Sequence, residues 1–363
     1  MEIDLNIIKV LIPWVISFLF GLFITPVVLS YLYKYKLWRR DEGGKKEVML
    51  EDKTGKVEEV INKTERDRKT PRMGGLVIVA SVLFTVFLFW AVSFGIFGNP
   101  SGKIDFLSRN QTWLPAAAFL AGAILGFFDD ILTIKSVKIG KFVGVPLQYR
   151  LIFVALLATF LGWWFYAKLG YSQIAVPFYG YYELGWIFIP FFVLVFTSVF
   201  ATSNIDGLDG LAGGVMAAIF AAMGFIAFHQ NLLDISAFSF VVVGAVLAFL
   251  WFNISPARFY MSEIGYNALS FSLVVIAFMT NTVFLLPIIA LVLFINLLAT
   301  VLQVLTIRLF GFRIFKVVPL HHHFEVKGWS ESQIVLRYWI ITIISAIFGV
   351  ALAVVTLSGN IVG

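Results

Sequence analysis

The chain alternates long apolar runs with short polar joints, and the runs have the length that a bilayer imposes on a helix. About 20 apolar residues cross a hydrocarbon core of about 30 Å, and only helices and closed barrels satisfy their own backbone hydrogen bonds there. Nearly uncharged stretches at 10–33, 73–97, 112–128, 151–167, 186–203, 210–229, 235–253, 264–280, 283–307 and 338–358 predict ten spanning helices. Residues 264–307 carry no charge, too long a run for one span, so the pattern predicts a break near Asn281 and a kink at Pro287. The expected architecture is all-α, a polytopic integral membrane protein with one domain over 1–363. A charged loop at 34–72 and a histidine-containing loop at 308–333 are its main polar insertions.

Composition sharpens this. Hydrophobic residues make up 60% of the chain and charged residues 13%, with mean hydropathy +0.93. A soluble domain carries about 25% charge, so soluble and disordered classes are excluded. The first apolar run lacks a small-residue cleavage pattern and runs on into Tyr-Lys-Tyr-Lys-Leu-Trp-Arg-Arg, which predicts an uncleaved anchor. The absence of cysteine removes disulfides and thiolate metal sites.

The net charge of +6 is unevenly placed. Segments 34–72, 129–150, 254–265 and 308–337 hold 23 of the 27 Lys and Arg. The positive-inside rule then puts these segments in the cytoplasm and both termini outside. Anionic lipid or an anionic substrate accounts for such a face, and no nucleic-acid-binding motif is present.

Outside the long loop, carboxylates are scarce, and they gather at span ends on that same face. An acid at the edge of hydrocarbon is costly unless it faces a partner or a cavity. Asp129 and Asp130 are adjacent, and such a pair repels unless a cation offsets it. Asp206 and Asp209 sit three apart in Asn-Ile-Asp-Gly-Leu-Asp-Gly-Leu-Ala-Gly-Gly, on one face of a turn, with glycines that admit close approach. Glu263 stands alone between two spans. His321, His322 and His323 are three of only four histidines. Consecutive helical side chains diverge by about 100°, so the three do not chelate one metal, and a loop lining an anionic-ligand site fits them better. Lys-Thr-Pro-Arg-Met-Gly-Gly at 69–75 opens the second span with glycines that could receive phosphate.

Together these motifs resemble the polyprenyl-phosphate N-acetylhexosamine-1-phosphate transferases. The likeness spans nearly the whole chain and rests on Pro-Arg-Met-Gly-Gly (71–75), Phe-Asp-Asp (128–130), Asp-Gly-Leu-Asp-Gly-Leu-Ala (206–212) and Phe-Leu-Trp-Phe-Asn (249–253). Pro-Leu-His-His-His-Phe-Glu (319–325) resembles the muramoyl-pentapeptide branch in particular. The resemblance implies Mg2+-dependent transfer of phospho-N-acetylmuramoyl-pentapeptide from UDP-MurNAc-pentapeptide to undecaprenyl phosphate. The products are lipid I and UMP, formed in the bacterial inner membrane during peptidoglycan biosynthesis by a homodimer. It implies catalytic roles for Asp129, Asp130 and Glu263, with Glu263 and Asp130 at the metal. Asp206, Asp209, Asn204, Asn253, His321, His322, His323, Lys69, Lys135 and Arg150 would contact substrate.

Several positions depart from the family pattern. Met261-Ser262-Glu263-Ile264-Gly265-Tyr266 stands where Met-Gly-Asp-x-Gly-Ser is usual. Thr133 replaces a lysine whose substitute is Lys135, and Arg150 replaces another. Ser203 replaces an asparagine, with Asn204 one place on, and the loop lysine is Arg68 or Lys69. Three alternatives compete with this one: a sister transferase using UDP-GlcNAc, an ion-coupled transporter, and an inactive scaffold homologue suggested by the Glu263 and Thr133 departures. A transporter would place its acids near the bilayer midplane rather than at span ends.

Overall fold

The computed structural model describes residues 2–38, 70–93, 113–139 and 142–358. Its helices are α1 (Glu2–Lys34), α2 (Gly75–Ser93), α3 (Trp113–Ile134), α4 (Leu147–Leu169), α5 (Phe188–Phe200), α6 (Leu211–His229) and α7 (Leu233–Asn253). They continue with α8 (Ser262–Met279), the short α9 (Leu286–Ile289), α10 (Leu291–Phe310), α11 (Leu320–Val326) and α12 (Glu331–Ser358). Among the described residues, ten helical segments are long and apolar enough to span a membrane, one of them being α5 lengthened by the 3-10 turns that flank it to Gly185–Ile205. Two small antiparallel pairs are the only strands there: β1 (Lys138–Ile139) with β2 (Phe142–Val143), and β3 (Gln173–Val176) with β4 (Gly180–Glu183).

Helix α8 is the centre of the bundle, buried along nearly its whole length. Close approach to it is made possible by glycine. Gly122 and Gly126 of α3 form a Gly-x-x-x-Gly stripe, the spacing that lets membrane helices touch backbone to backbone. A Cβ at Gly122 would lie 2.3 Å from the Asn267 carbonyl oxygen, and one at Gly126 2.2 Å from that of Glu263. From the other side, a Cβ at Gly75 would lie 2.4 Å from the Gly265 nitrogen. The start of α8 is thus pressed between α2 and α3.

The observed elements correct several of these expectations. Helix α3 runs on to Ile134, so Asp129 and Asp130 lie within its last turns rather than beyond them. Helix α12 begins at Glu331 rather than 338. Ser330 and Gln333 close a capping box there, with each backbone N–H donating to the other's side-chain oxygen at 3.3 Å. The charge of Arg337, inside that helix, stacks 3.9 Å from the Trp329 ring. The chain does break at Asn281, whose φ is +55°, but Pro287 lies in the first turn of α9 instead of kinking a continuous span. The histidines occupy a helix, α11, not a loop.

Candidate active site

The carboxyl end of α3, the start of α8, the turn before α6 and the segment before α2 meet at one end of the bundle. The first turn of a helix offers unsatisfied N–H groups that carboxylates stabilise, and α8 uses two of them. Ile264 N–H donates to Asp130 Oδ2 at 3.0 Å, and Ser262 N–H donates to Asp206 Oδ2 at 3.0 Å. Two acids far apart in sequence are thereby fixed beside Glu263, itself in that first turn.

Arg150, near the start of α4, links the remaining members. Its Nη1 donates to Asp129 Oδ2 at 3.2 Å, and its Nη2 lies 2.9 Å from Glu263 Oε2. The guanidinium stands over the Phe200 ring at 5.4 Å, and Val145 N–H donates to Asp129 Oδ1 at 2.9 Å. Asp129 therefore has both oxygens engaged. Asp130 does not: its Oδ1 is buried, accepts no hydrogen bond, and lies 4.0 Å from Arg72 Nε. Burial pushes the Asp206 carboxyl up to about 6, against the opposing pull of the Ser262 N–H and Arg72.

The segment 71–75 is laced to the residues before α8. Tyr260 N–H donates to the Pro71 carbonyl, and Gly74 and Gly75 N–H donate to the carbonyls of Tyr260 and Met261, at 2.9, 2.7 and 3.1 Å. Arg72 is brought to the site this way. It sits inside a motif that the sequence singles out, yet the motif's glycines draw attention away from it.

The histidine helix packs against the Asp206 turn. His321 is fully buried, with neither ring nitrogen hydrogen-bonded, and a Cβ at Gly207 would fall 2.3 Å from its Nε2. Burial, then the neighbouring His322, hold the His321 imidazole well below its ordinary pKa, so it is neutral. His322 Nδ1 pairs with Glu325 Oε2, and His323 Nδ1 accepts from the Lys316 N–H.

Other residues expected at the site serve its frame. Asp209 Oδ2 accepts from Ala257 N–H, while Asn253 accepts from Gly210 N–H and donates to the Phe259 carbonyl. These bonds tie the turn before α6 to the segment leading into α8. Asn204 Nδ2 donates to Thr300 Oγ1 at 3.0 Å. Lys135 is exposed, with no ion pair to the cluster among the described residues. Lys69 and Arg68 lie outside the described residues.

Helix α10 supplies residues that the sequence reading missed. Asn296, Thr300 and Gln303 share one face at i, i+4 and i+7. Asn296 Oδ1 accepts from Leu320 N–H at the start of α11, Thr300 holds Asn204, and Gln303 Oε1 accepts from Ile314 and Phe315 N–H. A polar stripe of helical period inside an uncharged span is the signal that could have found them.

Among the described residues no three His, Asp or Glu side chains converge on one metal position. The donor set still suits a hard divalent ion. Ionised Asp129, Asp130, Asp206 and Glu263 outweigh Arg72 and Arg150 by two negative charges, and Asp130 Oδ1 is an orphaned buried acceptor. A cation that keeps water and substrate oxygens in its shell needs only one or two protein carboxylates.

Fold and site thus define a multi-pass membrane protein with an acidic, arginine-bridged centre at one end of its bundle. The family described as Glycosyl transferase family 4 matches residues 112–281. A protein of Clostridium perfringens named phospho-N-acetylmuramoyl-pentapeptide-transferase is 32% identical over 93% of this chain and 96% of its own length. One of the same name from Listeria monocytogenes serotype 4b is 32% identical over 93% and 96%, and one from Chloroflexus aurantiacus 35% over 79% and 77%. The chain belongs to the phospho-N-acetylmuramoyl-pentapeptide-transferase family.

Proposed function

We propose that this protein transfers phospho-N-acetylmuramoyl-pentapeptide from UDP-MurNAc-pentapeptide to undecaprenyl phosphate at the cytoplasmic face of the bacterial inner membrane, as a homodimer. The observation that carries the proposal is the pairing, in a member of this family, of the arginine-bridged carboxylate cluster with a histidine helix seated on the Asp206 turn.

In the step proposed, an oxygen of the acceptor phosphate attacks the phosphorus that bears the sugar. The bond from that phosphorus to the UMP oxygen breaks, and UMP leaves. Two anions must approach, so cations have to offset their charge. Magnesium, held by Asp130 and Glu263, would supply that offset. Arg150 orients Asp129 and Glu263 and lowers their mutual repulsion. Asp129, engaged at both oxygens, is suited to orientation, whereas Asp130 retains an oxygen for a cation or a proton. A phosphate already deprotonated needs no covalent enzyme intermediate, which favours direct attack. Neutral, buried His321 packs against Gly207, in the turn that carries Asp206 and Asp209.

The test is release of UMP by purified protein given undecaprenyl phosphate and each UDP-sugar in turn, with and without Mg2+. Release with UDP-MurNAc-pentapeptide, abolished by chelation, is expected. Release with UDP-GlcNAc alone would reassign the donor.

A further inference from the structure

Ser262, the first residue of α8, has φ +56°, in the left-handed region that favours glycine. Met73, packed against it, has φ +67°. Glycine at 262 would take this conformation without strain, so the serine side chain has to be accounted for by what it touches. Its hydroxyl oxygen accepts from Arg72 Nε at 3.3 Å and from Met73 N–H at 3.4 Å. The residue is buried, and its own N–H is spent on Asp206. One residue therefore joins the segment carrying Arg72 to the helix start that carries Glu263.

The consequence for Arg72 is directional. With Nε held by Ser262 and 4.0 Å from Asp130 Oδ1, the terminal nitrogens project from the junction, and the side chain keeps 30% exposure. Among the described residues those nitrogens meet no acceptor. A planar guanidinium fixed at one edge and open at the other matches the geometry of a diphosphate, which takes two parallel N–H donors.

We infer that Ser262 is a positioning residue whose hydroxyl aims the Arg72 guanidinium at the diphosphate of the nucleotide donor. The inference rests on the proposed transferase reading for the identity of the donor, but not for the presence of an anion site. Strain retained at 262 is the local cost of that aim.

The experiment compares wild type, Ser262→Gly, Ser262→Ala, Arg72→Ala and the Ser262→Gly/Arg72→Ala double variant in detergent. UDP serves as the probe and thermal stabilisation as the readout, alongside KM and kcat for UMP release. Ser262→Gly removes both strain and hydroxyl, so its melting temperature should match or exceed that of wild type. Its UDP affinity should nonetheless fall about 3–10-fold, and KM for the donor should rise by the same factor with kcat within about twofold. Ser262→Ala should show the same affinity loss with a lower melting temperature. Arg72→Ala should weaken UDP at least as much, and the double variant should add little to it. Unchanged UDP affinity in Ser262→Gly, losses that simply multiply in the double variant, or wild type that UDP does not stabilise would each overturn the inference. Wild type that binds UDP in this Ser262-dependent way but transfers no sugar would instead sink the transferase reading alone.

Discussion

Arg150 contacts two carboxylates at once, so its length and its fork are both required. A lysine offers one point charge where the guanidinium offers two directed donors, and Glu263 reaches by one methylene further than the aspartate usual in the family. Arg150→Lys and Glu263→Asp should each lower kcat/KM about 10–100-fold, because altering one partner leaves the other partly buried and underpaired. The double variant should lose markedly less than the product of the two, and a double-mutant cycle on kcat/KM reads that coupling. Asp206 makes a prediction about pH. Its carboxyl is raised to about 6 in the fold against an ordinary value near 4. The folded state thus holds the proton more tightly than the unfolded chain. This group's contribution to stability is present at low pH and lost as pH rises through about 6. Asp206→Asn should therefore melt higher than wild type at pH 8, with the gap closing between pH 6 and pH 4, as followed by thermal unfolding in detergent. At this scale the sequence was partly legible. Scarcity of charge pointed to Asp129, Asp130, Asp206 and Glu263, whereas Arg72 acts through contacts that only the folded chain creates.

Helix α8 shows why elements were easier to foresee than their assembly. Ten apolar runs predicted ten spans because bilayer thickness constrains length directly. What a hydropathy pattern omits is which helix lies at the centre, since a buried span and a lipid-facing span are both apolar. The Gly122-x-x-x-Gly126 stripe does encode it, and Asp129 and Asp130 follow Gly126 by three and four residues, on the same face of α3. Packing and chemistry are therefore coupled through one helical face. Gly126→Ala would drive a methyl into the Glu263 carbonyl, 2.2 Å from the Cβ position. A destabilisation of about 1–3 kcal/mol is expected from such overpacking. Because α3 must retreat from α8, the Asp130 to Ile264 bond should be lost as well. Activity should fall more than the melting temperature implies, whereas Gly328→Ala, in an exposed turn at φ +93°, should cost stability alone. Ser330 and Gln333 illustrate the opposite case: their capping box was readable in sequence, but the charge of Arg337 obscured the start of α12.

For the molecule as a whole, charge and topology have to agree on one orientation. Among the described residues, Arg72, Arg258, Arg308, Arg313, Lys316 and Lys327 all lie in segments joined at the site end of the bundle. Helix α4 starts at the site with Arg150 and ends at Leu169, so the β3–β4 hairpin that follows belongs to the opposite end. That hairpin presents Phe178, Tyr179, Tyr181 and Tyr182 outward, with Trp186 just beyond it, as aromatic residues do at a membrane–water boundary. The proposed reaction, with a polyanionic UDP-linked donor taken from the cytoplasm, requires the basic end to face inward. The chain contains no cysteine, so single cysteines can report this without background. Tyr179→Cys, at a position 78% exposed, should react with a membrane-impermeant maleimide in intact bacterial spheroplasts. Arg313→Cys, exposed at the site end, should react only after the membrane is opened. The reverse labelling pattern would place the carboxylate cluster outside, away from any UDP-linked substrate, and the positive-inside assignment and the proposed reaction would fall together.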